Sequence, residues 1–144
     1  MHGLRIVISP DVLKTNSAQR GGLGRMTTFD WLIVGHLIGD WLLQNDWMAK
    51  GKRVSHFNVP GLIHYTIYTT TIIVVLYLSG ARDKPLIFYF VWIVIVFGVH
   101  WVLDASRLVD SWMRVARQTQ REMMRLMVDQ TMHILVLAVL AASI

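Results

Sequence analysis

Apolar residues fill four stretches of the chain almost without interruption, at about 29–48, 60–78, 85–103 and 126–144. Each is close to the roughly 20 helical residues that cross a hydrocarbon layer of about 30 Å. Pro60 and Pro85 open the second and third stretches, where a helix's first N–H has no partner to lose. Gly80 and Asp83 mark a turn so short that these two helices must be antiparallel neighbours. The third stretch, PLIFYFVWIVIVFGVHWVL, is the most apolar, and the first is the least, because His36, Asp40, Gln44 and Asp46 interrupt it. The pattern predicts an all-α integral membrane protein, a bundle of four transmembrane helices with a basic cytoplasmic helix between spans three and four.

Composition strengthens this reading. Of 144 residues, 54% are hydrophobic and 16% charged, against about a quarter charged in soluble domains, and the mean hydropathy is +0.47. The absence of cysteine excludes disulfides, thiolate zinc sites, iron–sulfur clusters and a cysteine nucleophile, so any metal must be held by His, Asp, Glu or Gln. No Walker loop, GxGxxG, Ser–His–Asp order or nucleic-acid motif occurs. The net charge of +5 therefore matters for where it sits. Lys50, Lys52 and Arg53 follow the first span, and Arg107, Arg114, Arg117, Arg121 and Arg125 follow the third. Both segments are expected in the cytoplasm and both termini outside, as a multi-pass protein of the cytoplasmic membrane. The five arginines, interleaved with Leu108, Trp112, Val115, Met123 and Met124, have the pattern of a helix lying on an anionic leaflet and touching lipid head groups. Residues 1–25 oppose this topology with Arg5, Lys14, Arg20 and Arg25. They read as a flexible extension, and Met26, directly before TTFDWLIV, is the expected start of translation.

Ionisable residues inside spans cost on the order of 3 kcal/mol each and usually face a partner or water. Here they form a pattern: His36 and Asp40 in span one, His64 in span two, His100 and Asp104 in span three, Asp129 and His133 in span four. Three spans carry the pair four positions apart, on one helix face. Spans one and three read His-x-x-x-Asp and the oppositely directed span four reads Asp-x-x-x-His, so in space each aspartate is nearer the cytoplasm and each histidine one turn deeper. The stretches HLIGD and HWVLD form a faint internal repeat, suited to one metal shared by both halves or two metals held by one half each. The expected ligands are His36, Asp40, His64, His100, Asp104 and His133, with Asp129 as the catalytic base and Gln44, on the His36–Asp40 face, supporting them. Nitrogen and oxygen ligands without sulfur suit a divalent ion, zinc or manganese first. Such an ion activates a bound water.

The segment HLIGDWLLQNDWMAKGK resembles the most recognisable part of a widespread prokaryotic membrane family, domain of unknown function 3307. Its pattern falls on His36, Gly39, Asp40, Leu43, Gln44, Trp47, Met48 and Ala49, followed by a basic residue, with His64, His100, Asp104 and His133 as later matches. The resemblance covers about residues 26–144. It implies a prokaryotic membrane protein but no activity. A looser similarity to small membrane-bound metal-dependent hydrolases points to hydrolysis of a lipid-borne or membrane-proximal substrate. The alternative is an accessory subunit of a larger membrane complex whose histidines ligate haem or chlorophyll. A third reading is proton or ion translocation along the His and Asp chain, which four spans would support only as an oligomer.

Overall fold

The computed structural model describes residues 26–52, 57–118 and 122–144. The expected extension at 1–25, Arg53 and Arg121 lie outside the described residues. Every regular element among the described residues is helical. Helix α1 (Thr28–Leu37) begins on a capping box in which Thr27 Oγ1 accepts from the Asp30 amide and Asp30 accepts from the Thr27 amide. It runs into a π-helical turn, Ile38–Leu42. A short helix α2 (Asp46–Gly51) follows, capped by Asn45, whose side chain accepts from Met48 N at 3.0 Å.

The first of the four expected spans is thereby corrected. Thr28–Leu37 and the five-residue π turn are too short to make one membrane-crossing helix, and Asn45 starts a new one. Among the described residues three helices are long and apolar enough to cross a bilayer: α3 (Val59–Leu78), α4 (Leu86–Ala105) and α6 (Glu122–Ala142). Asn58 caps α3, accepting from Gly61 N at 2.7 Å, with Pro60 in its first turn. Gly80, at φ 117°, terminates it in the left-handed conformation that glycine reaches without strain. A 3-10 turn, Ala81–Asp83, then leads to Pro85 and α4. The amphipathic helix expected after the third apolar stretch is α5 (Leu108–Val115), which buries Val109 and Met113.

Helix α3 is the centre of the bundle and packs against α1, the π turn, α2 and α4. Leu32, Ile72 and Leu76 are fully buried, and Val75, Trp92, Val96 and Leu137 close around them. Gly35 and Gly39 let α1 and the π turn approach α3 closely. A Cβ on Gly35 would come within 2.6 Å of Val75, and one on Gly39 within 3.1 Å of the Tyr68 backbone. By contrast α4 turns Leu86, Phe90 and Val94 outward, an arrangement that water penalises and lipid does not.

Candidate metal centre

The polar residues scattered through the apolar stretches meet at one end of the bundle. Asp40 comes from the π turn, His64 from the second turn of α3, His100 and Asp104 from the last turns of α4, and Asp129 and His133 from α6. His64, His100, His133 and Asp40 are each at most 3% exposed. His64 Nε2 lies 3.0 Å from His100 Nε2, 3.2 Å from Asp40 Oδ1 and 3.3 Å from Asp104 Oδ2, and His100 Nε2 lies 3.4 Å from Asp104 Oδ2. With metal–ligand bonds of about 2.0–2.1 Å, the edges of a tetrahedral ligand shell are about 3.3 Å. Four of the six separations among these atoms thus have the spacing of a small-cation shell, and all six lie within 4.8 Å. Asp40 Oδ1 is buried with no hydrogen-bond partner among the described residues.

Lys52, at the end of α2, folds onto the same carboxylates. Its ammonium donates to Asp104 Oδ2 at 2.7 Å and stands 3.6 Å from Asp40 Oδ1. At the centre itself Asp40, Asp104 and Asp129 bring three negative charges and Lys52 one positive charge, leaving a deficit equal to one divalent cation.

A second arrangement holds the ligands in place. Trp41 Nε1 can only donate, so the Gln130 atom that it meets at 2.9 Å is the amide oxygen. That oxygen is also 2.8 Å from His36 Nε2, which must then carry the proton, leaving His36 Nδ1 to accept from the Tyr68 hydroxyl at 3.2 Å. Gln130 Nε2 donates to Asp40 Oδ2 at 2.9 Å and to Asp129 Oδ2 at 3.2 Å. Both ring nitrogens of His36 are occupied, and it stands apart from the two His/Asp groups able to hold a metal among the described residues, Asp40–His64–His100–Asp104 and Asp104–Asp129–His133. Tyr68 joins the two arrangements, because its ring also stacks on His100 at 3.7 Å.

The π turn, the end of α4 and α6 surround a cavity of about 400 Å³ beside this centre. Its lining is mixed, with Asp40, Lys52, Asp104, Glu122, Asp129 and Gln130 beside Trp41, Leu103, Val109, Met123 and Leu126. Gln44 also lines the cavity, with its buried Oε1 unpaired, but it contacts none of the ligand atoms in a hydrogen bond among the described residues.

The arrangement lies within a segment that matches a known family. The chain belongs to the family described as Protein of unknown function (DUF3307), whose profile matches residues 28–144. No curated protein and no solved structure matches it. The conspicuous HLIGD segment of this DUF3307 protein supplies His36 to the supporting network and Asp40 to the centre, so one five-residue motif serves both.

The arginines of the basic segment are dispersed. Arg125 pairs with Asp110 at 3.0 Å, ties α6 to α5 and lines the cavity. Arg114 donates to Ser111 at 3.0 Å, Arg107 precedes α5, and Arg117 follows it at φ 56°. Two residues central to the geometry were not singled out from the sequence as site residues. Lys52 read only as a topology charge beside Lys50 and Arg53. Gln130 carried no periodic signal beyond its place next to Asp129.

Proposed function

We propose that this protein binds a divalent metal ion through Asp40, His64, His100 and Asp104, and that the centre hydrolyses a lipid-borne or membrane-proximal substrate. The observation that supports metal binding most directly is the convergence of four buried nitrogen and oxygen ligand atoms within 4.8 Å of one another, four of their six separations being 3.0–3.4 Å. A divalent ion there also offsets the net negative charge that would otherwise be confined in a poorly solvated site, where an uncompensated charge costs several kcal/mol. Zinc and manganese suit this donor set. When bound, such an ion supplies Lewis acidity and lowers the pKa of a coordinated water.

The chain's own residues supply the rest. Gln130 fixes Asp40, and His36 and Trp41 fix Gln130, so the ligand is oriented before an ion arrives. Asp129 lies at the cavity edge as a carboxylate able to take a proton. The cavity, lined by both polar and apolar side chains beside the centre, suits an amphiphile whose head reaches it. In this reading the basic end of the bundle lies at the cytoplasmic face, Arg107, Arg114 and Arg117 meet anionic lipid, and the π turn with α1 packs within the membrane as a broken fourth segment. His64 and His100 converge on carboxylates with Nε2 atoms 3.0 Å apart, which favours a small cation over a macrocycle such as haem or chlorophyll.

Elemental analysis of the detergent-purified full chain tests the metal. At least one equivalent of zinc or manganese, lost in Asp40→Asn and Asp104→Asn variants that retain wild-type circular dichroism, is expected. Wild-type protein that takes up neither ion would refute the reading. Hydrolysis is then tested by incubating the metal-loaded protein with a panel of phospholipids and lipid phosphates, and release of no product from any member removes that part.

A further inference from the structure

We infer a second metal position, formed by Asp104, Asp129 and His133, so that Asp104 bridges two ions in a dinuclear centre. The inference rests on the metal-binding reading above and extends it. Asp104 turns its two oxygens to different groups. Oδ2 faces His64 and His100 at 3.3 and 3.4 Å, whereas Oδ1 faces His133 Nε2 at 3.6 Å. One ligand atom from each of Asp104, Asp129 and His133 lies within 4.8 Å of the other two.

The tautomer of His133 makes the argument specific. Its Nδ1 is 2.9 Å from the backbone carbonyl of Asp129. A carbonyl only accepts, so Nδ1 carries the hydrogen and the lone pair of the neutral ring is on Nε2. That Nε2 has no hydrogen-bond partner among the described residues, and the residue is 2% exposed. A buried lone pair is therefore directed at a carboxylate oxygen, acceptor against acceptor, and the pair is favourable only with a cation or a proton between them. Histidines that ligate metals commonly have this form, with the distal N–H held by a carbonyl. The two oxygens of one carboxylate naturally place two ions at the separation of about 3.5–4 Å found in two-metal hydrolytic sites. Asp129, a proton acceptor in the one-metal reading, becomes a ligand in this one.

Charge predicts the order of filling. The first divalent ion cancels the excess of three carboxylates over Lys52, and the second leaves the centre at +2. The second ion should bind more weakly than the first, and a phosphate anion should tighten it. The ligand chemistry that fits is thus a phosphate or phosphate ester on the cavity side of the ion pair.

The test loads the full chain in detergent with Mn²⁺, with and without inorganic phosphate, and measures stoichiometry at millimolar metal together with the electron paramagnetic resonance spectrum. Two equivalents with an exchange-coupled signal are expected, and phosphate should lower the second dissociation constant at least about tenfold. His133→Ala, His133→Gln and Asp129→Asn should each retain one equivalent with an uncoupled six-line spectrum. One equivalent in the wild type, with or without phosphate, overturns the second position and leaves the one-metal reading standing. Two uncoupled equivalents overturn the bridge. No bound Mn²⁺ or Zn²⁺ overturns both readings. The wild-type measurement decides even if a variant fails to fold.

Discussion

Replacing Gln130 with leucine tests whether the ligand-holding network contributes to stability. The substitution keeps most of the volume and removes four polar contacts, to His36, Trp41, Asp40 and Asp129. They are unequal. Trp41 is 56% exposed and Asp129 is only partly buried, so both can find other partners. The Nε2–H of His36 and Oδ2 of Asp40 cannot, since those residues are 0% and 3% exposed. A buried group stripped of its partner costs about 1–3 kcal/mol, more when charged, so Gln130→Leu should lose about 2–6 kcal/mol. The assay is reversible unfolding in mixed micelles titrated with dodecyl sulfate, read by tryptophan fluorescence. Thr66→Ala, on an exposed position of α3, should stay within about 0.5 kcal/mol. A double-mutant cycle with His36→Phe should show strong non-additivity, because the histidine donor is then absent already. A Gln130→Leu loss within about 0.5 kcal/mol of wild type would refute the reasoning.

Other expectations follow from single contacts. Gly39→Ala places a Cβ 3.1 Å from the Tyr68 backbone, which cannot yield as a side chain can, and should destabilise by about 1–3 kcal/mol in the same assay. Gly98→Ala, in α4 with nothing within 4 Å of the new methyl, should instead stabilise by about 0.5–1 kcal/mol; destabilisation would show that a partner covers that face. Lys52→Met removes an ammonium 2.7 Å from a proposed ligand oxygen and should tighten divalent-ion binding at least about tenfold, since like charges a few ångströms apart repel by about 4 kcal/mol at intermediate dielectric. Calorimetric titration showing unchanged or weaker binding would mean that Lys52 does not oppose the ion. Asp104→Asn should lower metal affinity more than Asp40→Asn, because Asp104 faces three histidines and Asp40 only His64 at ion-pair distance.

The features legible in the sequence were those that one residue type or a fixed spacing enforces. Pro60, Gly80 and Pro85 delimit α3 and α4 because their backbone requirements are local, and the four-residue spacing of His100 and Asp104 places them on one helix face whatever surrounds them. The first apolar stretch failed as a single helix for an equally local reason. Asn45 is a strong helix cap, but hydropathy averaged over twenty residues hides one cap. The π turn has no such marker; it is seen only where Gly39 lies against Tyr68. His36 illustrates a different limit. Its spacing from Asp40 predicted a shared face, and both do reach Gln130, but which atom a ring nitrogen meets depends on an amide 94 positions away. Lys52 was masked by its neighbours Lys50 and Arg53, because a cluster of basic residues after a span already has an explanation in topology.

The division of α3 into two unlike halves bears on how the bundle opens. Ile72, Val75 and Leu76 lie in its second half within an apolar core, whose packing requires no ion. His64 lies in its first half among groups that carry charge or unpaired lone pairs. Without metal the bundle should therefore loosen from the polar end, with the amides near His64 and Tyr65 exchanging hydrogen faster than those near Ile72 and Leu76. A bound ion would act there as a latch, converting a helix that frays at one end into one that opens only as a whole. The cavity beside the centre would then widen and narrow with the ion's occupancy, linking access for a substrate to the presence of the metal.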